Sequence, residues 1–309
     1  MKKTILFISL ITLYCGVSQA QQVPQFSQNM FNKLANNPAI AGSSDKVNAT
    51  VLHRSQWMGF DGAPTTLNLS VDAPFEVLHG GIGLNIMKDN IHFYNNLYLQ
   101  LSYAYQTDLG NGQLGIGGSF GMFQAGLDGT QFNPSEPNDP SIPQGEVSGT
   151  AMDFGGGLYY NTQDVYIGLS SLSITEPVIE YSDGTGDYNM SRHYFLLAGY
   201  YHEINPLISL NPSIYLKSDG STSQLDINTN LIYNNKMWGG VSYRMGDGLL
   251  GPELAILTGM NINEDLKFGI AYDVVLSRIQ NNSIEFMLGY SFKVDYDRPV
   301  KSHKNPRYL

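Results

Sequence analysis

The sequence predicts an all-β protein: a transmembrane, up-and-down antiparallel β-barrel of about 14 strands, with a short N-terminal segment in the periplasm or inserted in the lumen. Three observations predict it. A secretory leader opens the chain, and no later apolar run is long enough for a spanning helix. Charged residues make up only 14% of the chain, while Tyr occurs 20 times and Gly 33 times. Segments of about ten residues alternate apolar and polar side chains, as barrel walls do.

The leader has a positive start, Lys2 and Lys3, then the apolar run TILFISLITLYCGV (4–17), then Ser18-Gln19-Ala20. These are the parts a signal peptidase reads, and cleavage is expected after Ala20. The apolar run falls short of the roughly 20 residues a membrane anchor needs. Cys15 follows Tyr14 rather than a small residue, which excludes a lipoprotein site. It is the sole cysteine, so the processed chain has no disulfide and no thiolate ligand or nucleophile. The expected organisation is a signal peptide (1–20), an N-terminal segment (21–45), a barrel (46–294) and a C-terminal periplasmic tail (295–309).

In the N-terminal segment, QFSQNMFNKLANNPAIAG (25–42), Phe26, Met30, Phe31 and Leu34 are expected to grip the barrel while Asn and Gln satisfy its polar interior. Asn37-Pro38 and Ala41-Gly42 are turn signals leading into the first strand. Strands are expected near 47–57, 64–73, 80–88, 96–107, 112–124, 149–161, 164–171, 191–203, 207–217, 223–234, 236–245, 252–261, 265–275 and 283–294. In LYLQLSYAYQ, Leu97, Leu99, Leu101, Tyr103 and Tyr105 share one face, opposite Gln100, Ser102 and Gln106. QLDINTNLIY and SIEFMLGYSF alternate in the same way. The apolar face suits lipid, and the polar, Gly-lined face suits the interior.

Connections after even strands are tight and rich in turn residues: DLGNG, NTQD, HEINP, YNNK and NINED. Segment 74–79, PFEVLH, departs from this rule. Long connections follow odd strands, at 125–148 and 172–190. This parity puts both termini on the periplasmic side, where turns are short. Tyr103, Tyr105, Tyr159, Tyr160, Tyr200, Tyr201, Tyr233, Tyr290 and Phe292 gather at the short-turn ends as an aromatic girdle.

Between Asp89 and Ser191 there is no Lys or Arg, and most acids of this span fall in the two long loops. Glu136, Asp139, Glu176 and Asp183 are the candidate partner contacts there. Acidic loops exclude nucleic acid, whose phosphates need cations. No phosphate loop, no HExxH and no complete calcium loop occurs, so no catalytic, cofactor or metal site is expected. His193, beside Arg192, is the one position where a barrel hydrolase could be sought. Asp226, Asp273 and Glu285, with Asp72, Lys267 and Lys293, lie on polar strand faces; together with Phe26 and Phe31 they are the lumen or plug candidates.

Residues 25–42, followed by HRSQWMGFDGAPTTLNLSVDAPF (53–75), resemble the hallmark of the PorP/SprF family. The likeness continues through 81–106, 223–244 and 261–279. NNSIEFMLGYSF departs from the Gly-Ser-His often found before the family's last strand. The resemblance implies a non-enzymatic outer-membrane barrel of the type IX secretion system of Bacteroidota, embedded in outer-membrane lipid. It implies secretion components as partners, with a secreted cargo or adhesin carrying a C-terminal sorting domain. Gliding motility is one process such adhesins serve. The alternative function is a channel or transporter for small solutes, hydrophobic ones included.

Overall fold

The computed structural model describes residues 23–132, 142–246, 251–276 and 281–293. The expected signal peptide, Glu136, Asp139 and the 295–309 tail lie outside the described residues. The strands are β1 (Val47–Ser55), β2 (Thr65–Phe75), β3 (Gly80–Ile91), β4 (Tyr94–Leu109), β5 (Gly112–Asp128), β6 (Glu146–Asn161) and β7 (Val165–Leu172). β8 runs His193–Tyr200 and resumes as His202–Asn205 after an irregularity at Tyr201. The remainder are β9 (Ile208–Ser218), β10 (Ser223–Tyr233), β11 (Met237–Gly246), β12 (Glu253–Asn261), β13 (Leu266–Val275) and β14 (Ser283–Phe292). Each pairs antiparallel with its sequence neighbours, and β1 pairs with β14 from Val47↔Phe292 to Ser55↔Ile284. The result is a closed barrel of 14 strands, which leaves no unpaired edge.

Strand ladders β4, β5 and β6 run 16, 17 and 16 residues, longer than the sequence periodicity indicates. About 9–11 residues suffice to cross a bilayer. In β5 and β6 the surplus lies toward the long-loop end, and β4 is extended at both ends. At the other end, Asn234 and Asn235 both have positive φ (52° and 50°), the requirement of a two-residue hairpin turn.

Burial is inverted relative to a water-soluble protein. Leu101, Ile116, Leu169, Leu231, Ile256 and Leu288 point outward and are exposed. Arg54, Asn68, Asn85, Gln100, Asp226, Asp273 and Glu285 point inward and are buried. An outer surface of aliphatic side chains and an inner one of amides and charges suits hydrocarbon outside the wall.

Two expectations are corrected here. Tyr159 is not part of the aromatic girdle: it faces the lumen and packs with Ala39 and Ile40. Its neighbours Tyr103, Tyr105, Tyr200 and Tyr233 do point outward. Lys293 lies past the end of β14 at the rim, paired with Asp45 at 2.5 Å, rather than inside the lumen. PFEVLH forms a 3-10 turn (Glu76–Leu78) between β2 and β3. Outward-facing Tyr103 donates its hydroxyl to Leu78 O (2.7 Å), which draws the turn onto the girdle. Val77, 79% exposed, and Leu78 thereby lie at interface level, so the extra length places apolar residues against lipid.

Candidate functional site in the barrel lumen

Residues 23–44 fold inside the barrel. Two 3-10 turns, Asn29–Phe31 and Pro38–Ile40, give the segment its shape. Asn37 caps the second by accepting from Ala39 N at 2.9 Å, and Gly42, at φ +68°, ends it. Val23 O accepts from Lys217 Nζ (3.1 Å), close to the long-loop end of β9. The chain therefore runs down the lumen from there and leaves at the short-turn mouth, where β1 starts.

One half of the wall carries a belt of charge. Six consecutive strands, β10 to β14 and then β1, each supply one ionic side chain: Asp226, Arg244, Glu253, Asp273, Glu285 and Arg54. Cross-strand register sets Asp226 opposite Arg244, Arg244 opposite Glu253, and Glu285 opposite Arg54. Arg244 reaches Asp226 (3.1 Å), Glu253 (2.7 Å) and Asp273 (3.6 Å). Arg54 reaches Asp273 (2.6 Å) and Glu285 (3.4 Å). Two guanidiniums thus face four carboxylates. The surplus acceptors are met by the N-terminal segment. Ser27 N and Gln28 N donate to the Glu285 carboxylate (2.8 and 3.0 Å), Ser27 Oγ to Asp273 (2.7 Å), and Asn29 Nδ2 to Asp226 (3.2 Å). Turned to satisfy its neighbours, the Gln25 amide accepts from Arg244 and donates to Gln224. Charge-assisted bonds of this kind are about twice as strong as neutral ones.

Below the belt the contact is apolar. Phe26 and Met30 bury against inward-facing Leu52, Trp238, Leu257 and Met287. Phe31 lies on Trp238 with ring centroids 4.4 Å apart. A water-filled pore has no use for inward Leu and Trp; here these side chains form one cluster with the segment. Each fully buried apolar side chain contributes about 1.5–3 kcal/mol.

On the opposite half of the wall the segment is held mainly by neutral side chains, although Asp89, Asp153 and Lys217 are also buried there. Asn32 donates to Asn68 (2.6 Å), which donates to Asn85 (2.8 Å). Gln106 donates to Ala39 O and Ala41 O (3.0 and 2.9 Å), and Asn37 to Leu158 O (3.0 Å). Here the wall is glycine where the segment comes closest. A Cβ at Gly117 would overlap the Ala39 backbone, and one at Gly157 would overlap Asn37. Gly117→Val is therefore expected to lower stability by about 1–3 kcal/mol through overpacking. In a Trp57→Phe background it should also red-shift Trp238 emission as Phe31 is displaced. Unchanged melting and unchanged emission would show that the segment does not press on the wall there.

The 172–190 connection closes the lumen from the other side. Its hairpin, Val178–Glu180 paired with Asp187–Asn189, buries Ile179 and Tyr181 against Tyr98, Phe123 and Ala125. Tyr188 stacks on Phe123 at 5.4 Å. Between hairpin and segment remains a cavity of about 40 Å³, lined in part by Phe26, Tyr98, Met190 and His193. That is room for a water or so.

Of the residues singled out from sequence, Phe26, Asp226, Asp273 and Glu285 are buried in this core, and Phe31 is half-buried at its lower edge. In the long loop, Glu176 accepts from Arg192 N (3.3 Å) and Asp183 from the Thr185 hydroxyl (2.7 Å). His193 Nδ1 lies 2.8 Å from Ser191 O, and Nε2 has no partner. Among the described residues no group of His, Cys, Asp or Glu fits a metal ion. Sequence reading missed Arg54, Arg244 and Glu253. Parity would have found them: Arg54 shares the inward face of Asn48 and Thr50, and Arg244 that of Trp238 and Ser242. Lys33, which belongs to no spanning strand, is pushed down to about 8 by burial and by the Lys267 ammonium.

A lipid-facing cylinder filled by its own N-terminus defines an outer-membrane β-barrel of the plugged kind. The chain belongs to the PorP/SprF family of type IX secretion system membrane proteins, whose model matches residues 18–290. Comparison with curated proteins finds no match. Similar solved structures include the CymD monoaromatic hydrocarbon channel (TM-score 0.54, 14% identity, covering 92% of this chain and 96% of that one). Another is the toluene transporter TbuX of Ralstonia pickettii (TM-score 0.50, 12% identity, covering 85% and 93%). At such identities the likeness is one of fold.

Proposed function

We propose that this chain is a non-enzymatic adaptor of the type IX secretion system in the outer membrane of a member of the Bacteroidota. It supports export or surface attachment of a particular cargo, such as an adhesin with a C-terminal sorting domain. Residues 1–20 are removed, residues 21–45 serve as the plug, and 295–309 extend into the periplasm. The short-turn mouth faces the periplasm, following the loop asymmetry of such barrels. The observation that carries this reading is the occupied lumen. Hydrogen bonds from the segment satisfy the wall's surplus carboxylates, and its apolar side chains cover the wall's inward apolar ones. A barrel built this way suits holding a partner better than passing solutes.

The similarity to hydrocarbon channels motivates the second reading, a route for small hydrophobic solutes. Two measurements separate the readings. Affinity purification of the tagged chain from outer membranes should recover secretion components and one large secreted protein. Deleting the gene should remove that protein from the cell surface. Undiminished surface display, together with slower uptake of an aromatic hydrocarbon, would instead establish the channel.

A further inference from the structure

The short-turn mouth contains two voids, of about 390 and 210 Å³, that share Met30, Phe31, Lys33 and Lys267. Both lysines point into this space from different elements, one on the plug and one on β13. Neither forms an ion pair among the described residues. Lys33 Nζ stands over the Tyr166 ring, 3.4 Å from its centroid, and Lys267 Nζ lies 5.6 Å from that of Phe31. Asp72, which lines the smaller void, is taken by Gly42 N and Asn48 (3.4 and 3.3 Å). Asp164 lines the larger void at its rim.

The larger void holds a second, independent sign of a missing ligand. Asn230 is 2% exposed, and neither its amide nitrogen nor its oxygen has a partner. Trp238 is 6% exposed, and its indole N–H is likewise unpartnered. Buried polar groups are normally bonded, and leaving one unmet costs about 1–3 kcal/mol. Two ammoniums, an indole N–H and an amide N–H are all donors, and the Asn230 oxygen is one acceptor. That set matches a carboxylate together with the N–H of a peptide backbone.

We propose that the short-turn mouth is a binding site for an acidic segment of a partner protein, a carboxylate seated between Lys33 and Lys267 and its backbone held by Asn230. The aromatic walls, Phe31, Tyr159, Tyr166 and Trp238, suit side chains of such a segment. The site lies within the wall of strands, out of reach of a lipid headgroup. Given the orientation in the proposed function, the partner is periplasmic.

The test uses the full-length protein in detergent and a fluorescent hexaglutamate peptide followed by anisotropy. The wild type should bind it and release it as salt rises from ~50 to ~500 mM. Lys33→Gln and Lys267→Gln should each weaken binding about tenfold, and the double variant should lose it. Lys88→Gln, at the far mouth, should change nothing. Heat-modifiable migration on gels confirms that each variant is folded. Equal binding by the double variant, or equal binding of hexalysine, overturns the proposal. So does displacement by inorganic phosphate at peptide-like concentrations, which would make the site one for free anions. If the peptide binds only after residues 294–309 are removed, the chain's own tail is the occupant and the partner assignment falls. Binding in detergent does not depend on which compartment the mouth faces, so its failure is separable from failure of the export reading.

Discussion

Deletion of residues 23–42 is expected to turn an electrically silent barrel into a conducting one in planar bilayers. The segment fills the middle of the lumen, with the charged belt on one side and the Asn- and Gly-lined wall on the other. Barrels of about 16–18 strands enclose an aqueous channel, while about 8 strands leave an interior that side chains fill. A wall of 14 strands lies nearer the first case. Once emptied, its charges would be hydrated rather than paired with the plug. The intact protein should give no steps, and the deleted form stable steps with at least about tenfold greater ion flux, cation-selective because carboxylates outnumber guanidiniums on the belt. The deletion should also lower the gel-shift temperature, since Phe26, Met30 and Leu34 no longer bury apolar surface. A silent deleted form would mean that the 172–190 hairpin closes the lumen unaided. Equal conductance before and after would mean that the segment does not occupy the lumen in a membrane.

Replacing Arg244 is expected to be the most destabilising single change. Its guanidinium touches Asp226, Glu253 and Asp273, and the residue is 4% exposed. Arg244→Met keeps the bulk but leaves three carboxylates with no central cation. Breaking a buried pair from one side costs about 3–5 kcal/mol, mostly through the charge left behind. Adding Asp226→Asn and Glu253→Gln to Arg244→Met should restore part of the loss, because it neutralises two of the three carboxylates left behind while Asp273 keeps Arg54. The gel-shift midpoint and Trp238 emission report the outcome. A melting point within a degree or two of wild type for Arg244→Met would mean that water, not the arginine, balances these carboxylates.

Much of this architecture was legible along the chain, for a definite reason. A strand in a barrel wall has one side in lipid and one in the lumen, so every second residue reports its surroundings. Leu97, Leu99 and Leu101 against Gln100 and Ser102 are enough to place β4 and its faces. Turn chemistry placed the short connections, because residues such as Asn234 and Asn235 accept positive φ more readily than most others. Alternation was silent where strands leave the lipid, which is why the long-loop ends of β4, β5 and β6 extend beyond expectation. It also misplaced Tyr159, because an inward tyrosine against a plug and an outward one in a girdle look alike in one dimension.

By itself the sequence determined the solvent of most wall residues, the number of strands and their order around the cylinder, because those follow from period and turns. It also offered Asp226, Asp273 and Glu285 as inward charges, one by one. Only the tertiary structure decided that they join Arg54, Arg244 and Glu253 in one belt. Depth and stagger set which side chains meet, and those depend on ladder registers spread over six strands. Only it decided that Ser27 and Gln28 close that belt, across some 250 residues of chain, at separations of 258 and 257 positions from Glu285. Local pattern cannot encode contacts at such range; the closed wall brings the two ends of the chain together.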